Sequence, residues 1–181
     1  MSEFTNIKKY LEQVAKQIVR QSKGILKKEK GQTDLAKSIR YEVKKDDKGY
    51  TTNFYVADYG PYIDEGVSGN LKEQSYISYK GKKQTSRFKY TTKQPPSNMI
   101  EKWIKRKGLK PKGKHKSEES AIKSMAFAVS KSIKEKGIKG ISFFQIPLGA
   151  GLKAINEDML KAVAEDVKSY LVFYTQGKGQ K

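Results

Sequence analysis

Asp34, followed by Glu42-Val43-Lys44, is the acidic pattern in this chain that most resembles a hydrolytic site. An Asp and then a Glu-x-Lys on a strand is the layout by which some nucleases hold Mg²⁺ and set a lysine near the attacked phosphate. The same three letters also arise by chance in a sequence that is 31% charged. Glu42 reads equally well as a solvent-face strand residue paired with a lysine. Other chemistry lacks its parts. There is no cysteine, so neither a disulfide framework nor a thiolate metal site can form. The lone imidazole, His115, sits in a Lys- and Gly-rich loop and reads as surface. Gly137, Gly140, Gly149 and Gly151 lack the strand-then-helix context of a phosphate cradle. These patterns assign no catalytic residue, metal or cofactor, and leave the nuclease reading as an alternative.

Charge points elsewhere. Thirty-eight Lys and Arg against nineteen acids give a formal +19, far beyond what solubility asks of a domain this size. Between Lys80 and Lys116 stand fourteen basic residues and one acid, Glu101. So local a surplus suggests a contact surface for a polyanion or an acidic protein face. Lys80, Lys82, Lys83, Arg87, Lys89, Lys105 and Arg106 are its candidate partner contacts. Tyr76, Tyr79, Phe88 and Tyr90 are interleaved among these lysines, as stacking platforms in a basic groove would be. No helix-turn-helix, zinc finger or similar module accompanies them.

The elements that must position these residues follow from spacing. Phe4, Ile7, Leu11, Val14, Ile18 and Ile25 mark an amphipathic helix ending between Gly24 and Gly31. Ile39–Lys45 and Tyr50–Tyr59 flank Asp46-Asp47-Lys48-Gly49 and predict a hairpin with the Phe54 and Val56 side inside. Pro61 suits the first turn of a short helix and Gly66 its end. From Ser75 to Thr92, Tyr76–Tyr79 and Arg87–Tyr90 predict a basic hairpin or arm, an insertion at about residues 70–94 with little apolar content of its own. Pro95-Pro96-Ser97 opens a helix whose apolar face is Met99, Ile100, Trp103 and Ile104, stopped at Lys107-Gly108. Ser117 caps a longer one carrying Ile122, Met125, Ala126, Val129 and Ile133 to Gly137. Leu152, Ile155, Met159, Val163, Val167 and Tyr170 trace the last. Residues 1–175 read as a single domain and Gln176–Lys181 as a disordered tail. No signal peptide or apolar run of about 18 residues is visible, so the chain reads as made in a cytosol.

Four pieces in this order resemble one family: Tyr59-Gly-Pro-Tyr-Ile-Asp-Glu-Gly66; Pro95-Pro96 with Ile100, Trp103 and Lys107-Gly108; Ala128-Val-Ser-Lys-Ser-Ile133 with Gly137; and Phe143-Phe144 with Pro147. The arrangement, over about Leu35 to Leu171, is similar to the tail-completion, or head-tail joining, proteins of tailed double-stranded DNA phages. Asp64-Glu65 stands where one acid is usual, Val67 follows the glycine, and Leu71–Lys93 is a long basic insertion. The resemblance implies an α+β subunit: an antiparallel sheet with helices packed on one side, long amphipathic helices at both ends and the basic hairpin inserted. It implies a structural virion protein and not an enzyme, a ring in the neck or tail top joining the portal or adaptor to the tail. Its expected partners are copies of itself, those neighbours and, non-specifically, packaged DNA, with no membrane. Tyr59, Tyr62, Trp103, Phe143 and Phe144 are then core or subunit-interface anchors. The alternatives are a DNA-binding accessory protein and, third, the Mg²⁺-dependent nuclease.

Overall fold

A computed structural model of the chain describes residues 5–31, 33–47, 49–111, 113 and 116–177. It is mixed α and β with antiparallel strand pairs, the α+β class that the sequence predicts. Residues 1–175 read as one domain from the sequence; the contacts group into two compact units. One comprises Met1–Gly60, Ser78–Lys82 and Phe143–Lys181, the other Pro61–Ile77 and Lys83–Ser142. Among the described residues no helix is long and apolar enough to cross a membrane.

The first unit is built on two long helices that pack together, α1 (Thr5–Lys30) and α6 (Gln145–Gly177). α1 buries Ala15, Ile18, Val19, Ser22 and Leu26, a stripe at helical spacing. Its first turn is held by α6: the Asp166 carboxylate accepts from the backbone N–H of Asn6 and of Ile7 at 3.1 and 3.0 Å and from Asn6 Nδ2 at 2.9 Å. The two backbone N–H groups are donors that a helix start leaves without partners, and a carboxylate also suits the positive end of the helix dipole. α6 begins earlier than the apolar spacing alone predicts. Pro147 lies in its first turn, where its missing N–H costs no hydrogen bond. The predicted disordered tail begins within this helix, at Gln176 and Gly177, and its remainder lies outside the described residues. Between the long helices in sequence come α2 (Asp34–Ser38), capped by Thr33, and the hairpin β1 (Arg40–Asp46) and β2 (Gly49–Tyr55). Phe54 meets Phe144 edge-on at 5.3 Å, and Phe143 is 1% exposed. Val56, expected inside with Phe54, is exposed: the strand stops at Tyr55, so its alternation no longer applies one residue on.

In the second unit α4 (Ser97–Lys107) packs on α5 (Glu118–Lys136) through a core of Ile104, Ile122 and Ala126, with Ile100 and Met125 against it. α5 starts as its sequence predicts. Ser117 accepts from Ser120 N, and Glu118 and Glu119 occupy the positive end of the dipole. α4 ends at Gly108 in the left-handed conformation, φ 61°. α3 (Gly60–Asp64) leads into β3 (Gly66–Ser68), which pairs antiparallel with β6 (Gly137–Lys139). β4 (Ser75–Ile77) pairs with β5 (Lys83–Thr85).

The single antiparallel sheet expected is therefore three separate two-stranded ladders among the described residues. The partner expected for Tyr76–Tyr79 also differs. The segment Phe88–Tyr90 leaves the hairpin and runs along β3, with Ser68 N donating to Phe88 O and Tyr90 N to Ser68 O, both at 2.8 Å. Ser86 makes the departure: its hydroxyl donates to Gly66 O at 2.6 Å and accepts from Phe88 N at 3.2 Å.

Candidate functional site

The Tyr62–Gly66 turn owes its shape to two residues. Pro61 opens α3, and its carbonyl accepts from Glu65 N at 2.9 Å. Gly66 then takes φ 79°, a conformation open to glycine at little cost. A Cβ there would lie 2.4 Å from Gly140 N and 2.6 Å from Ile138 O, so the absence of a side chain also lets β3 and β6 close on each other. The turn is tied to the same strand's exit through Ile141 N on Ile63 O and Ser142 N on Asp64 O.

This geometry buries both acids of the motif, Asp64 and Glu65. Arg87 Nε lies 3.1 Å from Glu65 Oε2, an ion pair without the alignment of a hydrogen bond. The Arg87 guanidinium lies over the Phe88 ring at 4.9 Å, and Phe88 in turn packs against Tyr62 with centroids 4.4 Å apart and planes inclined by 48°. Glu65, Arg87, Phe88 and Tyr62 thus form one column from a buried carboxylate to an exposed ring. Tyr76 lies in the field of the same acids. Burial pushes its phenol pKa up, Glu65 and Asp64 push it further, and Arg87 opposes them. Tyr90 is pushed up by burial alone. The column ties residues 86–90 to the turn through the Arg87–Glu65 ion pair and the Phe88–Tyr62 contact.

The predicted contact cations fall into three groups. Lys80 and Lys82 are exposed in the tip between β4 and β5, with Lys80 Nζ 5.6 Å from the Tyr79 ring. Lys83 opens β5, Arg87 and Lys89 flank Phe88, all three exposed, and Lys105 and Arg106 are exposed on the last turns of α4. Among these seven, Arg87 alone is held by an ion pair in the described residues. Of the predicted anchors, Phe143 is buried and Phe144 packs on Phe54. Tyr59, Tyr62 and Trp103 are exposed, and Met99, expected on the inner face of α4, is exposed as well. An open cleft of about 580 Å³ lies where α4 ends and α5 begins, lined by Ile104, Leu109, Ile122, Lys105, Lys110 and Glu118 among others.

The acidic pattern is not assembled into a metal site. Glu42 pairs with Lys44 at 3.3 Å and accepts from Tyr55 Oη, while Asp34 pairs with Lys37 at 3.2 Å. Among the described residues no cluster of three His, Cys, Asp or Glu could hold an ion. His115 lies outside the described residues. The residues that sequence reasoning missed are Glu65 as the partner of Arg87, Ser86 as the pivot out of the hairpin, and Asp166 as the cap of α1.

In comparison with known proteins, no family model, no curated protein and no solved structure matches this chain.

Proposed function

We propose that this chain is a structural virion protein of a tailed phage, a ring subunit of the neck or tail top that joins the portal or adaptor to the tail. The observation that carries this reading is the convergence of motifs far apart in sequence. The glycine of the Tyr59–Gly66 motif opens the strand that pairs with Gly137–Lys139, the strand closing the Ala128–Ile133 motif. Asp64 O accepts from Ser142 N, one residue before Phe143-Phe144. The segments that carry the pattern therefore lie together in the fold, which supports reading them as one unit.

Exposed cations add to this. In a closed ring each subunit meets the next through two different surfaces, so a basic segment on one copy can rest on an acidic face of its neighbour or of the portal. Lys82, Lys83 and Lys89 are exposed and make no ion pair among the described residues, which leaves them available for that role. The basic hairpin is the segment we assign to it, with Tyr59 and Tyr62 as exposed rings that a neighbour would cover.

Native mass measurement and negative-stain imaging of the purified chain, alone and mixed with isolated portal and adaptor rings, test the reading. The expected result is a closed ring or a ring docked on the portal, weakened by Lys82→Glu, Lys83→Glu and Lys89→Glu together and by added salt. A chain that stays monomeric in both mixtures refutes it.

A further inference from the structure

α4 presents an outer face of exposed apolar and basic side chains. Met99, Lys102, Trp103 and Arg106 recur at spacings of three, one and three, so they share one side of the helix. The opposite side, Ile100 and Ile104, packs on α5. Met99 is 59% exposed and Trp103 is 39% exposed. The Trp103 ring has no aromatic or cation–π partner among the described residues. Nor do Lys102, Lys105, Arg106, Lys107 and Lys110 make an ion pair there. Glu101, the helix's one acid, is half-buried away from this face.

We infer that this face binds single-stranded nucleic acid, with Trp103 stacked on a base and Lys102, Arg106 and Lys107 on the phosphates. Its apolar part is only Met99 and Trp103, far short of the roughly 800 Å² per partner of a stable protein interface. A phosphodiester chain needs little apolar area, because its affinity comes from counterions released when lysines and arginines replace them. An exposed indole among cations is the arrangement by which strands are held without sequence preference, since every base offers a π face. That face is free only where the bases are unstacked, so a single strand is favoured over a duplex. The site is short: eleven residues of helix span about 16 Å. The inference does not rest on ring formation and is tested on the isolated chain, so its failure leaves the neck reading untouched.

Trp103 is the only tryptophan, and its fluorescence reports the site directly. Titration with an oligothymidylate of about fifteen nucleotides should give saturable quenching. With about three phosphates engaged, log K should fall with log salt at a slope near −2. A duplex of the same length should bind more weakly. By anisotropy of a labelled oligonucleotide, Trp103→Ala should weaken binding about tenfold or more, while Trp103→Tyr retains a stacking ring and most of the affinity. Lys102→Glu with Arg106→Glu, both on the exposed face, should abolish binding, with circular dichroism verifying the fold of each variant. The inference is overturned by no saturable quenching at low salt, by duplex binding as tight as the single strand, or by a folded Trp103→Ala variant that binds like the parent. Quenching by polyglutamate where oligothymidylate gives none would also overturn it, in favour of an acidic protein partner.

Discussion

Gly66→Ala is the sharpest perturbation this fold offers, because two separate penalties meet at one atom. At φ 79° an L residue is strained by about 1–2 kcal/mol. The added Cβ would also sit 2.4 Å from Gly140 N and 2.6 Å from Ile138 O, both backbone atoms that cannot swing aside as a side chain could. Relieving that overlap means spreading β3 from β6, at about 1–3 kcal/mol for the repacking and about 1 kcal/mol for each ladder hydrogen bond weakened. The total is about 3–6 kcal/mol, a large part of the 5–15 kcal/mol that holds a typical domain together. Gly108→Ala supplies the control within the same unit: it also has positive φ, 61°, but nothing lies within 4 Å of its Cβ position, so only the backbone strain of about 1 kcal/mol remains. Urea unfolding followed by Trp103 fluorescence reports on this unit. With a slope of about 2 kcal/mol/M, the midpoint should fall by about 2 M for Gly66→Ala and about 0.5 M for Gly108→Ala. Midpoints for the two variants within about 0.5 M of each other would refute the close-approach argument and leave only the shared backbone term.

Asp166→Ala strips three donors at the start of α1 of their acceptor and should cost about 1–3 kcal/mol, with Asp166→Asn between it and the parent; thermal melts equal to the parent's would disprove the capping role. Stability should decline in strong base. Burial raises the phenol pKa of Tyr10, with Asp158 adding, as it does those of Tyr76 and Tyr90, so the folded chain holds protons that the unfolded chain gives up. That contribution is whole below the unfolded tyrosine value of about 10 and is lost as pH rises through the raised folded values. Urea midpoints measured from about pH 9 to 11.5, with tyrosinate absorbance as the second probe, should fall together with the tyrosine titration, and a flat profile would contradict it.

Much of the local structure was legible because its cause is local. Ser117 with its two glutamates fixed the start of α5, Lys107-Gly108 fixed the end of α4, and the alternation around Asp46–Gly49 fixed the first hairpin. What escaped was pairing across long separations. β3 and β6 are three residues each, too short for any period to register, and they lie some seventy positions apart. The inner face of α4 was misjudged at Met99 and Trp103, since four apolar residues spread over more of the helix than one neighbour, α5, covers. Asp166 did leave a trace: it occupies the register of Met159 and Val163, an acid in an apolar seam, and such a residue needs buried donors. That contact, from Asp166 on α6 to the first turn of α1, joins residues 160 positions apart, beyond the reach of any local period.

Arg87 shows why a surplus of charge is not by itself a map of contacts. By sequence it belongs with Lys82 and Lys83, one more cation in a basic run. In the fold it faces a buried carboxylate, so removing it would take from Glu65 the ion-pair partner it has in the turn. Reversing Arg87 to Glu would therefore set two carboxylates against each other and disturb the turn as well as any partner contact. Charge reversal at Lys82, Lys83 and Lys89, which are exposed and make no ion pair among the described residues, perturbs the surface alone, so a loss of assembly there can be assigned to the surface and not to the fold beneath it.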